Sequence, residues 1–197
     1  LAAGDLYSIA ITQDGRVAGR DVRVQGQGRG DVLVSGTIDA SASGADQTGG
    51  RIEITGERVG LLGSASIDAS GSSAGGTILV GGDFQGKNPD IRNAARTYVG
   101  AEVGLKADAG ESGNGGKVIV WADDTTRFFG GISARGGAAG GDGGFAEVSG
   151  KQNLTFAGAV DLGSSLGRTG TLLLDPDDLY VGVDPANGAT VDATDPF

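Results

Sequence analysis

The sequence contains no cysteine, no histidine and no methionine, and aromatic residues make up only 5% of it. Those absences remove whole classes of chemistry. No disulfide framework, zinc finger, His-dependent triad or conventional haem ligation can be built from it. Positive charge is also scarce, with 15 Lys+Arg against 25 Asp+Glu and a formal charge of −10. A chain this acidic lacks the cationic footprint of a nucleic-acid binder. No apolar run reaches the roughly 18 residues that span a bilayer as a helix, so membrane insertion is not expected.

Glycine is what the sequence has in excess: 40 of 197 residues, where average usage gives about 14. The glycines are not spread evenly. They punctuate short apolar runs, and that pattern asks for a search for repeats. A Gly-Gly followed by a β-prone run recurs as Gly49-Gly50-Arg51-Ile52-Glu53-Ile54 and Gly75-Gly76-Thr77-Ile78-Leu79-Val80. It recurs again as Gly115-Gly116-Lys117-Val118-Ile119-Val120 and Gly143-Gly144-Phe145-Ala146-Glu147-Val148, and ends as Thr169-Gly170-Thr171-Leu172-Leu173-Leu174. The second glycines are spaced by 26, 40, 28 and 26. A second marker keeps step with the first: Ile38-Asp39-Ala40-Ser41, Ile67-Asp68-Ala69-Ser70, Leu105-Lys106-Ala107-Asp108, Ile132-Ser133-Ala134-Arg135 and Val160-Asp161-Leu162-Gly163. Both markers show one long interval in the same place, so the array is tandem with a single insertion.

Strand alternation assigns the faces. The second and fourth residues after each Gly-Gly are apolar (Ile52/Ile54, Ile78/Val80, Val118/Val120, Ala146/Val148). The first and third include Arg51, Glu53, Lys117 and Glu147. Short strands, a period near 26 and no helical periodicity predict an all-β fold, a single-stranded parallel β-helix of roughly seven coils. Its glycines are expected to supply positive φ at tight corners. An antiparallel sandwich or barrel is the alternative, but its Asp-Gly and Asn-Gly hairpin signals fall at irregular positions.

One solenoid domain is expected over residues 1–182, with fainter coils at 7–12, 17–24 and 31–38. Residues 183–197 then form a cap or a link to a following domain. The insertion, 83–96, is the least repetitive and most cationic stretch, and Asn88-Pro89-Asp90 there has the logic of a short helix start. A loop projecting from a regular rod either carries specificity or covers a sheet face. Its Lys87, Asn88, Asp90, Arg92 and Arg96, with the sole tryptophan, Trp121, are the candidate ligand contacts. Trp121 with Phe128-Phe129 reads either as a sugar platform or as core. Asp175, Asp177 and Asp178 suggest calcium, although an acidic turn around Pro176 is the simpler reading, and no cofactor is expected otherwise.

Several motifs resemble filamentous-haemagglutinin-type adhesins of Gram-negative bacteria. They are Gly82-Asp83-Phe84-Gln85-Gly86-Lys87-Asn88, the run from Gly115 to Trp121, Phe129-Gly130-Gly131-Ile132-Ser133-Ala134-Arg135, the run from Gly143 to Lys151, and Gly170-Thr171-Leu172-Leu173-Leu174-Asp175-Pro176. The resemblance covers about residues 36–182. It implies a right-handed β-helical shaft segment of a large exoprotein, secreted to the cell surface or matrix by two-partner secretion through an outer-membrane partner. It also implies adhesion to host cells, surfaces or matrix polysaccharide. The family's N-terminal secretion domain, with its Asn-Pro-Asn-Gly-type motif, is not found here, so a shaft fragment, a processed form or a divergent short member is expected. End-to-end self-association into a fibre is the alternative function. A polysaccharide-acting enzyme is the minor one, resting on Asp123-Asp124 as paired carboxylates, and catalysis is not expected.

Overall fold

The computed structural model describes residues 8–181, and the side chains of residues 9–177. The expected cap or link at 183–197 lies outside the described residues. The path is a coil. Strands β1 (Ser8–Gln13), β2 (Arg16–Ala18) and β3 (Asp21–Gln25) make one circuit, and β4 (Gly30–Val34), β5 (Thr37–Asp39) and β6 (Arg51–Thr55) the next. Then come β7 (Arg58–Leu61), β8 (Ser66–Asp68) and β9 (Thr77–Val80), followed by β10 (Arg96–Val99), β11 (Gly104–Lys106) and β12 (Lys117–Ala122). The last full circuits are β13 (Thr125–Phe128), β14 (Gly131–Ser133), β15 (Phe145–Gly150) and β16 (Asn153–Phe156), β17 (Ala159–Asp161), β18 (Thr171–Leu173), after which β19 (Asp178–Val181) starts another.

Every third strand pairs in parallel, giving a first sheet β1-β4-β7-β10-β13-β16-β19, a second containing β2 to β17 and a third containing β3 to β18. The fold is a parallel β-helix. Among the described residues, no helix is long and apolar enough to cross a membrane.

The two sequence markers are two of the three sheets. Ile38, Ile67, Leu105, Ile132 and Val160 stand in one register column of the second sheet. Ile52, Ile78, Val118, Ala146 and Leu172 stand in one column of the third. The first sheet contributes Val34, Leu61, Val99, Phe128 and Phe156 in register, with the last two rings stacked 5.4 Å apart. These columns fill the lumen. At about 25 cal/mol per Å² of apolar surface buried, they are the main stabilising term. Thr97 and Thr126 also point inward, and their hydroxyls donate to the carbonyls of Trp121 and Ser149 at 2.7 and 2.8 Å. A buried hydroxyl is tolerated there because it is paired.

The glycine pairs correct the expectation about their role. Those that open the third-sheet strands have no positive φ, which the chain instead takes at other turn glycines, among them Gly63, Gly81, Gly82, Gly140 and Gly141. They are required by coil-to-coil contact. A Cβ on Gly116 would lie 2.2 Å from the carbonyl oxygen of Gly76 below, and one on Gly115 would lie 2.1 Å from that of Ala134 above. The same pattern holds for Gly76 against Gly50 and for Gly144 against Gly116. Where the first described circuit has no described coil beneath it, the second position is Arg20. Where the sixth has no described coil above it, the first position is Thr169, which is exposed.

The insertion also differs from its expected form. Three corners from third to first sheet take two residues, Gly56-Glu57, Asp123-Asp124 and Lys151-Gln152, and two take four, 26–29 and 174–177, whereas β9 reaches β10 through residues 81–95. No helix starts at Asn88. Instead Phe84–Gly86 form one 3₁₀ turn capped by Asp83, and a turn closes from Ile91 N–H to Asn88 C=O at 3.2 Å. Arg96 lies in β10 rather than in the loop.

Candidate functional site

The insertion lies across the outside of the third sheet. The outward residues there form the column Arg23, Glu53, Leu79, Ile119, Glu147, Leu173. Its centre is apolar, and Leu79 and Ile119 are wholly buried although they point away from the lumen. With Trp121, and with Ile91 and Phe145 against them, they make a second small core under the loop. The charged outer face expected from the alternation is therefore not a solvated one in the middle of the rod, because Glu53 and Glu147 are also buried.

Polar contacts pin the loop. Arg92 pairs with Glu57 at 2.5 Å and donates to the Gly26 carbonyl at 3.2 Å. Lys117 Nζ reaches Asp83 Oδ1 at 2.7 Å, and Asn88 Nδ2 reaches Asp83 Oδ2 at 2.8 Å. Burial alone would raise the Asp83 carboxyl, but Lys117, Asn88 and the Phe84 N–H outweigh it and hold the pKa at about 2. Gln85 N–H donates to Glu147 at 3.1 Å. Burial pushes the Glu147 carboxyl above its ordinary range, and Asp175 adds to the rise; Gln85, Ser149 and Lys117 oppose it without cancelling it.

That sign has a testable consequence. A carboxyl raised in the folded state binds its proton more tightly there than in the unfolded chain. Its contribution to stability is therefore lost as pH rises from the unfolded value through the folded one. Glu147→Gln keeps an acceptor for Gln85 and cannot ionise. We expect the variant to melt with the parent at about pH 4 and above it at about pH 8. Parallel melting curves across that range would reject the burial account.

Beside the pinned loop runs a hollow of about 350 Å³, lined by Gln85, Gly86, Lys87, Trp121, Asp123, Lys151, Asp175, Pro176 and Asp177. It follows the corner between third and first sheets over three successive coils. Asp123, Lys151 and Asp177 succeed one another along this corner: Lys151 N–H donates to the Ala122 carbonyl, and Asp177 N–H to the Lys151 carbonyl. Two of the carboxylates are fixed. Asp123 Oδ1 accepts from Trp121 Nε1 and Asn93 Nδ2, each at 3.0 Å. Asp175 Oδ2 accepts from Gln85 Nε2 at 3.1 Å, while Gln85 Oε1 accepts from Lys87 Nζ at 2.8 Å.

Trp121 is on the outward phase because β12 runs unbroken to Ala122. The residue is only 5% exposed, and its ring is roofed by Gly86, where a Cβ would lie 2.6 Å from the indole. Trp121 therefore gives the hollow an edge rather than a flat platform. Phe128 points into the lumen, whereas Phe129 packs outside against Tyr98.

With this architecture in view, a likeness can be stated. The chain is similar to a secretion domain. The crystal structure of the HMW1 secretion domain from Haemophilus influenzae superposes with a TM-score of 0.65 at 25% identity, covering 86% of this chain. The chain spans about half of that structure, 47% of its length. No protein-family model matches the chain, and no curated protein sequence does.

Of the residues singled out from sequence, the structure brings Lys87, Trp121, Asp123, Asp175 and Asp177 together. It separates the rest. Asn88, Arg92 and Arg96 are engaged in holding the loop and its flank, Arg96 through Asp124 at 3.2 Å, and Asp90 stands exposed. Asp178 lies in β19, its side chain outside the described residues. Among the described residues no three carboxylates form a group fit to hold a metal ion. The Asp123-Asp124 pair is split between different partners, Trp121 and Arg96. Sequence reasoning did not single out Gln85 or Lys151. The coil register carries the signal for Lys151, because it occupies the corner position that Asp123 holds one coil earlier.

Proposed function

We propose that this chain is a β-helical segment of a secreted adhesin-type exoprotein of a Gram-negative bacterium, exported with an outer-membrane partner and acting by binding. The observation that carries this reading is the likeness to a secretion domain across 86% of the chain. It stands beside motifs that resemble filamentous-haemagglutinin-type adhesins. The two fit one another: a coil whose lumen is purely structural leaves its corners and its one insertion to meet other molecules. A binding role suits the hollow better than catalysis, because Asp123 is already held by Trp121 and Asn93 and its neighbour Asp124 by Arg96.

The test is adhesion itself. Beads coated with the folded chain are expected to adhere several-fold more than albumin-coated beads to at least one of a cultured epithelial monolayer and a bacterial biofilm. Equal retention of both kinds of bead on both surfaces would overturn the proposal.

A further inference from the structure

We propose that the corner hollow bounded by Gln85, Lys87, Lys151 and Asp177 holds a stretch of uncharged linear polysaccharide lying along the rod axis. This gives the adhesive reading a ligand class, and its geometry stands independently of that reading.

The shape is the first reason. The hollow crosses three coils, so at about 4.8 Å per rung it extends roughly 10 Å along the axis, with the loop as one wall. Its volume falls in the range of small-ligand sites. A hollow drawn out along three coils suits a polymer laid along the rod.

The lining is the second. Asp123, Asp175 and Asp177 share the lining with Lys87 and Lys151. Carboxylates are pure acceptors and ammonium groups pure donors, and a sugar hydroxyl can serve both at once. Lys151 and Asp177 are exposed, and among the described residues neither side chain has a hydrogen bond or ion pair. Asp123 Oδ2 and Asp175 Oδ1 keep their acceptor capacity while their partner oxygens are tethered. Such charge-assisted bonds are the stronger kind, and the tethers reduce the ordering cost of binding.

The same lining selects against other polymers. Three carboxylates against two amines repel phosphate and uronate. An extended peptide is recognised by adding to an unpaired strand edge, but the corner amides of Asp123, Asp124, Lys151, Gln152 and Asp177 already donate to carbonyls of the neighbouring coil or loop.

Trp121 is the only tryptophan and edges the hollow, so its emission reports occupancy. We would titrate the intact chain with linear hexamers of glucose, mannose and galactose, using a galacturonate hexamer and a pool of unstructured decapeptides as counter-probes. Saturable binding of at least one neutral hexamer is expected. It should weaken about tenfold in Lys151→Ala and in Asp177→Ala, with unchanged melting curves. Binding of no neutral hexamer, equal binding by the variants, or tighter binding of a counter-probe would each overturn the assignment. Adhesion of the beads without hexamer binding would sink this site and leave the adhesive reading standing; hexamer binding without bead adhesion would do the reverse.

Discussion

Gly116→Ala is expected to cost about 4 kcal/mol or more of folding free energy, read as a collapse of the urea midpoint followed by far-UV circular dichroism. The reason is local and rigid. The new methyl would sit 2.2 Å from the Gly76 carbonyl oxygen and 2.9 Å from the Ala107 Cβ, and the first of these is backbone that cannot rotate away. Relief requires the coils to part, and parting them breaks the ladder between β9 and β12. The natural control is Gly104→Ala. Gly104 also lies in a strand, but nothing stands within 4 Å of its would-be Cβ, so a change within about 0.5 kcal/mol is expected. If the two variants behaved alike, coil-to-coil contact would not be what the glycine pairs serve.

Removing the Trp121 ring should have the second-largest effect. The side chain is buried against Leu79 and Ile119 and lies beneath Gly82 and Gly86. Large-to-small replacement of a buried aromatic costs about 3–5 kcal/mol. The loss should be uneven. The lumen columns do not touch this second core, so the coil should outlast the loop. Trypsin is therefore expected to cut Trp121→Ala after Lys87 or Arg92 under conditions in which the parent resists, before circular dichroism falls. Unaltered resistance at those bonds would mean that the ion pairs of Arg92 and Asp83 hold the loop without the ring. Trp121→Phe, which keeps an aromatic face under Gly86 but loses the Asp123 bond, should lie between the two.

The sequence showed most where one residue type recurred at one register position. The Gly-Gly pairs announced the third sheet and the Ile-Asp-Ala-Ser units the second, because their inward positions are uniformly aliphatic and their corners similar. The first sheet has no such marker. Its lumen column changes from Val34 and Leu61 to Phe128 and Phe156, and its outward column changes from Leu33 and Gly60 to Tyr98, Arg127 and Thr155. Its strands become legible only once the other two sheets set the phase.

The loop's cover was partly legible too. Arg51-Ile52-Glu53-Ile54 alternates, as a strand with one wet face does, but Ile78-Leu79-Val80 and Val118-Ile119-Val120 are continuous apolar runs. Continuous runs mark strands buried on both faces. The hollow was least legible. Its Asp123, Lys151 and Asp177 are spaced by 28 and 26 residues and differ in type and in sign. Periodicity of composition cannot connect them. Only the three-dimensional column does.

The two-residue corners carry a consequence for how such a surface changes over time. At Asp123-Asp124 and Lys151-Gln152 the chain turns through its backbone amides, which bond to the coil or loop beside them, and exposed side chains such as those of Asp123 and Lys151 take no part in holding the lumen. A single codon change there alters the charge sequence along the rod's surface and leaves the aliphatic interior untouched. Foldability and surface chemistry are thus inherited on different residues, and a lineage can vary the face of the rod without first having to restabilise it.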